Sequence, residues 1–150
     1  MVVRNAVAAD AAELCALCRD EMGYEYPMDA FAGKLDVLLQ CKTDRIFTAE
    51  ENGRVVGFVH ACDYDVLYAP HMKNIMGIAV SSDFRGQGIG RALLGAVEAW
   101  AEETGAVGIR LTSGESRTGA HAFYRACGYE YTKTQFNFRK LLTTGDKTKK

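Results

Sequence analysis

The chain has 150 residues, of which 48% are hydrophobic, and this length provides one buried core rather than two. Its formal net charge of −1 and its pI of about 6.3 exclude the strongly basic surface that attracts nucleic acid. No apolar run approaches the ~20 residues that span a bilayer, and the first residues lack a signal-peptide core. We therefore expect a cytoplasmic protein that binds neither nucleic acid nor a membrane.

Apolar periodicity and turn residues predict the element order β-α-α-β-β-β-turn-α-β-α-β-β. Strands are expected at residues 2–7, 45–51, 54–67, 74–80 and 109–112, with a terminal hairpin over 129–141. Asp10 is expected to cap the first helix together with Glu13, and Asn52-Gly53 predicts a tight hairpin. The polar segment 143–150 predicts a disordered tail behind a single domain over residues 1–142.

The cysteines are scattered through the chain at Cys15, Cys18, Cys41, Cys62 and Cys127. The first two form a Cys-x-x-Cys pair on a helical pattern, and no second pair of metal ligands follows. We expect structural or reduced thiols and no metal site.

A glycine-rich stretch follows the strand at 74–80 and opens a helical pattern. It reads Arg85-Gly86-Gln87-Gly88-Ile89-Gly90-Arg91. Glycines let successive N–H groups point to one place, a helix start adds unpaired N–H donors, and arginines bind phosphate oxygens in a multidentate manner. The stretch therefore predicts a phosphate site.

Two nucleotide-binding patterns fit this stretch poorly. A nucleoside-triphosphate loop ends in Gly-Lys-Ser/Thr, whereas Gly90 is followed by Arg91 and Ala92. A dinucleotide fingerprint needs a third glycine where Arg91 stands, and an acid on the next strand, which carries Arg110.

The stretch instead matches Arg/Gln-x-x-Gly-x-Gly/Ala and resembles the pyrophosphate-binding turn of the GCN5-related N-acetyltransferase (GNAT) family, whose cofactor is acetyl-coenzyme A. The segment from Ala120 to Tyr129 resembles a second block of that family, Ala-x-x-Phe-Tyr-x-x-x-Gly-Phe/Tyr. The predicted element order is also that of the family. The resemblance implies an α/β (α+β) three-layer domain, in which about four helices flank a mixed, mostly antiparallel twisted sheet of about seven strands.

The resemblance also implies roles for individual residues. Residues 85–91 would bind the cofactor's pyrophosphate, the Ile78 N–H would polarise the thioester carbonyl, and Ala79 and Val80 would bind the pantetheine. Gly77, immediately before Ile78, fits a β-bulge or a close backbone approach. Tyr124 would contact coenzyme A and protonate its departing thiolate, since a phenol's pKa of about 10 lies above that of a thiol. Arg117 replaces the family's usual asparagine; it would contact the pyrophosphate or the acceptor, or remain a solvated loop residue.

The general base stays open at the level of sequence. Asn74 and Met76 occupy positions where relatives carry a proton acceptor. The remaining candidates are His71, Asp63 and Asp65, with proton loss to solvent as the default, and the two aspartates could instead attract a cationic acceptor. Of the other histidines, His60 is expected to be partly buried and hydrogen-bonded, and His121 to face solvent.

These features together predict an acetyl-CoA-dependent N-acetyltransferase that works by direct transfer in a ternary complex without a metal. The segment 129–141 resembles branches that act on small amines, which favours a small-molecule acceptor. A protein or peptide acceptor is the alternative among enzymes, and a catalytically silent acyl-CoA-binding sensor is the alternative outside them. A homodimer is compatible with the sequence.

Overall fold

The computed structural model describes residues 1–143 and divides the chain into two compact units, Met1–Thr112 and Ser113–Lys150. The predicted tail, apart from Thr143, lies outside the described residues. The single domain over 1–142 stays a prediction.

The first unit contains a five-stranded sheet in the order β1-β2-β3-β4-β5. The first four strands pair antiparallel with their neighbours, and β5 runs parallel to β4. A mixed, mostly antiparallel sheet was expected, and it is confirmed. The strands are β1 (Val2–Asn5), β2 (Asp44–Glu51), β3 (Arg54–Tyr64), β4 (Met72–Val80) and β5 (Ile109–Leu111).

Helices cover both faces of this sheet. On one face, α1 (Ala11–Met22) and α2 (Met28–Gln40) bury Leu14, Leu17 and Leu35 in a core shared with Phe58 and Ala79 of the sheet. On the other face lies α3 (Ile89–Glu103), whose apolar stripe includes Leu93, Val97 and Trp100. Gly57 allows the close approach of α3, because a Cβ there would lie 3.3 Å from side-chain atoms of Ile89 and Leu93.

The N-terminal cap differs from the expectation. Asp10 ends a short 3-10 turn, and its carboxylate accepts hydrogen bonds from the Val7 amide and from Arg4 rather than capping α1. Glu13 reaches across to the Val55 amide of β3. Asp10 therefore bonds to donors within the six residues before it, Glu13 bonds to a distant strand, and neither forms the predicted cap.

The second unit contains α4 (Thr118–Ala126), the helix that the predicted element order places after the fifth strand. The predicted hairpin over 129–141 is wrong, because the described residues after Tyr129 form no strand. A segment with alternating aromatic residues forms a stable strand only when a neighbouring strand pairs with its backbone and its apolar face is packed against other residues. Tyr131, Phe136 and Phe138 are instead exposed, and residues 1–143 form five strands where about seven were expected.

Candidate functional site

The glycine-rich stretch forms the turn between β4 and α3. Gly86 and Gly88 have φ of 78° and 83°, a left-handed conformation that favours glycine. Gly88 is the N-cap of α3, which begins at Ile89. The first N–H groups of a helix have no carbonyl one turn earlier to accept them, and they carry the positive end of the helix dipole. The predicted strand-turn-helix geometry is confirmed, and it suits an anion.

Arg85 is held at the entrance to this turn. Its Nη2 lies 2.7 Å from Glu21 Oε1 on α1, and its Nε donates to the Val80 carbonyl at 3.4 Å. The other oxygen of Glu21 accepts the Ser82 amide at 3.1 Å. The Arg85 side chain is still 61% exposed, so a phosphate can reach it.

One edge of β4 is only partly paired. The ladder with β5 consists of Lys73 with Ile109, Asn74 with Arg110 and Ile75 with Leu111. From Met76 to Val80, β4 continues without a partner on that side among the described strands. The two strands therefore pair at one end only, and an extended ligand could pair with the rest of the edge.

The direction of the backbone amides along this edge follows from the pairing with β3. The Ser81 amide donates to the Val56 carbonyl, on the β3 side. Amides alternate between the two sides of a strand, so those of Ile78 and Val80 point to the unpaired edge. The same alternation directs the amide of Ala79 to β3, and its side chain is buried in the core.

A β-bulge interrupts β4 just before Ile78. His60 pairs with Gly77 and Ala61 pairs with Ile75, so Met76 is the extra residue. A Cβ on Gly77 would lie 3.3 Å from the methyl group of Met22, which makes this a close approach between α1 and β4. The bulge expected at Gly77 is confirmed.

The second unit contains Tyr124 on α4. Its ring lies 5.4 Å from that of Phe123 and 6.2 Å from that of Tyr129, measured between centroids. Burial raises the pKa of the Tyr124 phenol, and the positive charge of Arg117 opposes that shift. The phenol therefore keeps its proton at neutral pH, as a proton donor must.

Other residues around α4 have the conformation and exposure expected from the sequence, with one exception. Gly128 has φ of 92° and ends α4, where the Tyr129 amide donates to the Tyr124 carbonyl at 3.0 Å. Arg117 is exposed at the N-cap of α4. His121 does not simply face solvent, because it is half-buried and its Nε2 donates to the Gly114 carbonyl at 2.9 Å.

The candidate bases His71, Asp63 and Asp65 gather around a buried lysine. Lys73 Nζ lies 2.5 Å from Asp63 Oδ1, 3.2 Å from His71 Nε2 and 3.8 Å from the centroid of the Trp100 ring. His71 Nδ1 lies 2.8 Å from Asp65 Oδ1. Both ring nitrogens of His71 are thus engaged, which favours a structural role for this cluster on the α3 face.

A second histidine–carboxylate pair lies on the opposite face. His60 Nε2 is 2.7 Å from Asp44 Oδ2, and the hydroxyl of Thr43 donates to Asp44 Oδ1 at 2.9 Å. His60 is partly buried and hydrogen-bonded, as expected. Its partner was missed, although the Asn52-Gly53 hairpin sets the register that brings β2 and β3 together.

The chain matches the family model described as the acetyltransferase (GNAT) family over residues 11–129. The chain belongs to the GNAT family. Over 145 residues it is 31% identical to an aminoglycoside N(6')-acetyltransferase type 1 of Stenotrophomonas maltophilia, and the match covers 93% of both chains. This GNAT protein is therefore an N-acetyltransferase, and its cofactor is acetyl-coenzyme A.

Two solved structures share the GNAT fold of this chain. The aminoglycoside N-acetyltransferase AAC(6')-Iy in complex with CoA aligns with a TM-score of 0.84 at 22% identity, covering 93% of each chain. A ribosomal-protein-alanine N-acetyltransferase from Brucella melitensis aligns with a TM-score of 0.76 at 23% identity, covering 93% of this chain and all of that one. Across residues 1–143 of the GNAT chain, every helix is too short or too polar to cross a bilayer.

Proposed function

We propose that this enzyme transfers the acetyl group of acetyl-CoA directly to an amine of a small molecule within a ternary complex. The unpaired edge of β4, which leads directly into the glycine turn, is the observation that carries the proposal. An extended pantetheine chain could pair with that edge while its pyrophosphate lies on the turn.

Each end of the cofactor has suitable donors in the first unit. The amide of Ile78 would donate to the thioester carbonyl and stabilise the oxyanion of the tetrahedral intermediate. The amide of Val80 would bind a pantetheine carbonyl one step further along the strand. The N–H groups at the start of α3, together with Arg85, would bind the pyrophosphate. Arg117 is proposed as a further contact to the cofactor.

The chemical step needs a donor for the leaving thiolate. The neutral amine nitrogen forms a bond to the carbonyl carbon and gives up a proton, the carbon–sulfur bond breaks, and the sulfur takes a proton. We assign that proton to the Tyr124 hydroxyl, because its raised pKa keeps it protonated at neutral pH. Solvent then restores the proton to the tyrosine.

The similarity to an aminoglycoside acetyltransferase over nearly the whole chain favours a small, amine-bearing acceptor. A protein α-amine is the alternative. Both acceptors present a primary amine that is largely protonated at neutral pH, so both need a route for proton loss before attack.

A panel of amines tests the proposal. Release of free thiol from acetyl-CoA is measured with aminoglycosides, linear polyamines and peptides with a free α-amine, for wild type and Tyr124→Phe. We expect turnover with small amines, and a loss of about 100-fold or more in Tyr124→Phe. Tyr131→Phe is the matched control, because Tyr131 is exposed and its hydroxyl lies 3.0 Å from that of Thr134.

Equal and negligible rates in wild type and Tyr124→Phe with every amine would instead identify a silent acyl-CoA-binding protein. Turnover with peptides alone would reassign the acceptor and leave the chemistry in place.

A further inference from the structure

We infer that His60 accepts the proton of the attacking amine and that Asp44 is its positioning residue. The inference deepens the proposed acetyl transfer and rests on it. It assigns the general base, which neither Asn74 and Met76 on β4 nor the cluster of His71 and the aspartates around Lys73 supplies.

His60 lies beside the position where the thioester would bind. It is the cross-strand partner of Gly77, the residue immediately before Ile78. Phe58 and Ala79 are also cross-strand partners, and both belong to the core under α1 and α2. Since side chains two residues apart share a face, His60 projects to this α1/α2 side of the bulge.

The space next to His60 at the bulge is bordered by Met22 of α1, whose methyl group lies close to Gly77. Gly77 contributes no side chain, and Met76, the extra residue, is 58% exposed. The His60 side chain is itself 19% exposed. An amine that approaches the Ile78 amide across this face would therefore meet the imidazole once the flexible end of the Met22 side chain moves aside.

Hydrogen bonds define which nitrogen of the ring can act as a base. The Asp44 carboxylate can only accept, so the neutral ring donates Nε2–H to it across 2.7 Å and keeps its lone pair on Nδ1. The Thr43 hydroxyl fixes the other carboxylate oxygen at 2.9 Å. This is the arrangement by which a carboxylate orients an imidazole for proton transfer.

The other ionisable groups on this side of the sheet are poorer bases. They include Asp44 on β2, Cys62 and Tyr64 on β3, Arg110 on β5, and Glu13 and Cys18 on α1. Asp44 is bound to His60, and Glu13 accepts the Val55 amide. Burial raises the pKa of the Cys62 thiol, which stays protonated at neutral pH. Arg110 is always charged, and it donates to Asn74 at 2.6 Å.

The proton balance is then complete. One proton passes from the ammonium form of the acceptor to His60 Nδ1 before attack, and the nitrogen gives a second proton to water as the carbon–nitrogen bond forms. The Tyr124 hydroxyl gives its proton to the thiolate sulfur as the carbon–sulfur bond breaks. The imidazolium returns its proton to water, and water restores the proton of Tyr124.

The test compares His60→Ala with His71→Ala, using acetyl-CoA and an amine that the wild type acetylates. We expect kcat/KM of His60→Ala to fall by about 100-fold or more, and to recover when free imidazole is added. His71→Ala should retain its rate and be unaffected by imidazole. The kcat/KM of Asp44→Asn should fall less than that of His60→Ala. The Kd for CoA should be unchanged in all three variants.

A second variant covers the case in which His60→Ala does not fold. His60→Gln retains a polar group for Asp44, and its rate should rise toward that of wild type as higher pH deprotonates the amine in solution. A wild-type rate in either His60 variant, or an imidazole-dependent rescue of His71→Ala alone, would overturn the inference and leave acetyl transfer standing. A wild type that acetylates no amine would overturn both.

Discussion

Glu21 and Arg85 form a hydrogen-bonded ion pair that ties the end of α1 to the glycine turn, with 2.7 Å between Oε1 and Nη2. The same carboxylate accepts the Ser82 amide just before the turn. It therefore positions the arginine that we propose for the pyrophosphate, yet its negative charge opposes an incoming anion.

Neutralising Glu21 should tighten cofactor binding. Glu21→Gln keeps an oxygen that can accept the Ser82 amide but removes the charge, so the Kd for CoA should fall by about two- to fivefold at low salt. Titration calorimetry at low and high ionic strength would measure this, and high salt should shrink the difference. Asp20→Asn, an exposed change on the same helix, is the control. Weaker CoA binding in Glu21→Gln would mean that Glu21 helps more by positioning Arg85 than it hinders by repelling the anion.

Two substitutions of Gly88 separate the effect of backbone strain from the effect of an added negative charge at the proposed anion site. Its φ of 83° strains any other residue, although a Cβ there would meet nothing within 4 Å. Gly88→Ala should therefore lose about 1–2 kcal/mol of stability from the left-handed backbone. Gly88→Asp adds a negative charge at the helix start and should weaken CoA binding by more than about 100-fold relative to Gly88→Ala.

Gly105 provides the matched control for that pair of variants. It has φ of 76° and open space around its Cβ position, but it follows the C-terminal end of α3. Gly105→Asp should lower the thermal midpoint and leave the Kd for CoA unchanged. An equal loss of CoA binding in Gly88→Ala and Gly88→Asp would argue against an anion at the turn.

Local signals were enough to predict the turn and the strand before it. The positive φ values of Gly86 and Gly88, and the bulge beside Gly77, follow from what glycine permits within a few residues. The hairpin at Asn52 and Gly53 likewise has both residues at positive φ, as its dipeptide predicts.

Contacts between distant residues could not be read in the same way. The Glu21–Arg85 pair joins different elements, and nothing in the spacing of either residue indicates the other. The Asp44–His60 pair depends on the register of the β2–β3 hairpin, which the two residues themselves do not specify. Residues 129–141 show the reverse case, in which a strong local pattern for strands remained unpaired. A strand forms only with a partner strand, in addition to its own alternation of apolar and polar residues.

The pH dependence of transfer should report the state of Tyr124. Burial raises its pKa above the usual value, so the proton donor is present below that pKa and is lost as pH rises through it. The falling limb of kcat should therefore lie above about pH 10. Arg117→Gln removes the charge that lowers this pKa and should move the limb further upward. Tyr124→Phe should lack this limb, and an unchanged limb in that variant would contradict the assignment.

Asp10 should make the stability of the first unit depend on pH. Its side chain is 6% exposed and accepts two hydrogen bonds from Arg4, at 2.8 and 2.9 Å, and one from the Val7 amide at 2.8 Å. The bonds from Arg4 lower the pKa of Asp10 most, the Val7 amide adds to this, and burial opposes it. The folded-state pKa is thus below the unfolded value of about 3.9, so the stabilisation is present above that value and is lost as pH falls through the folded-state pKa.

Asp10→Asn should therefore lower the free energy of unfolding by about 2 kcal/mol at pH 7, because it removes the more buried of the two carboxylates that pair with Arg4, the other being Glu50. Urea unfolding at a series of pH values would measure the difference between the two proteins. That difference should shrink below about pH 4 as the wild-type carboxyl takes up a proton. Asp20→Asn, whose carboxylate pairs with Arg19 at the surface, should change stability little at any pH. A constant difference between wild type and Asp10→Asn down to acidic pH would show that the shape of the Asp10 side chain, rather than its charge, stabilises this corner.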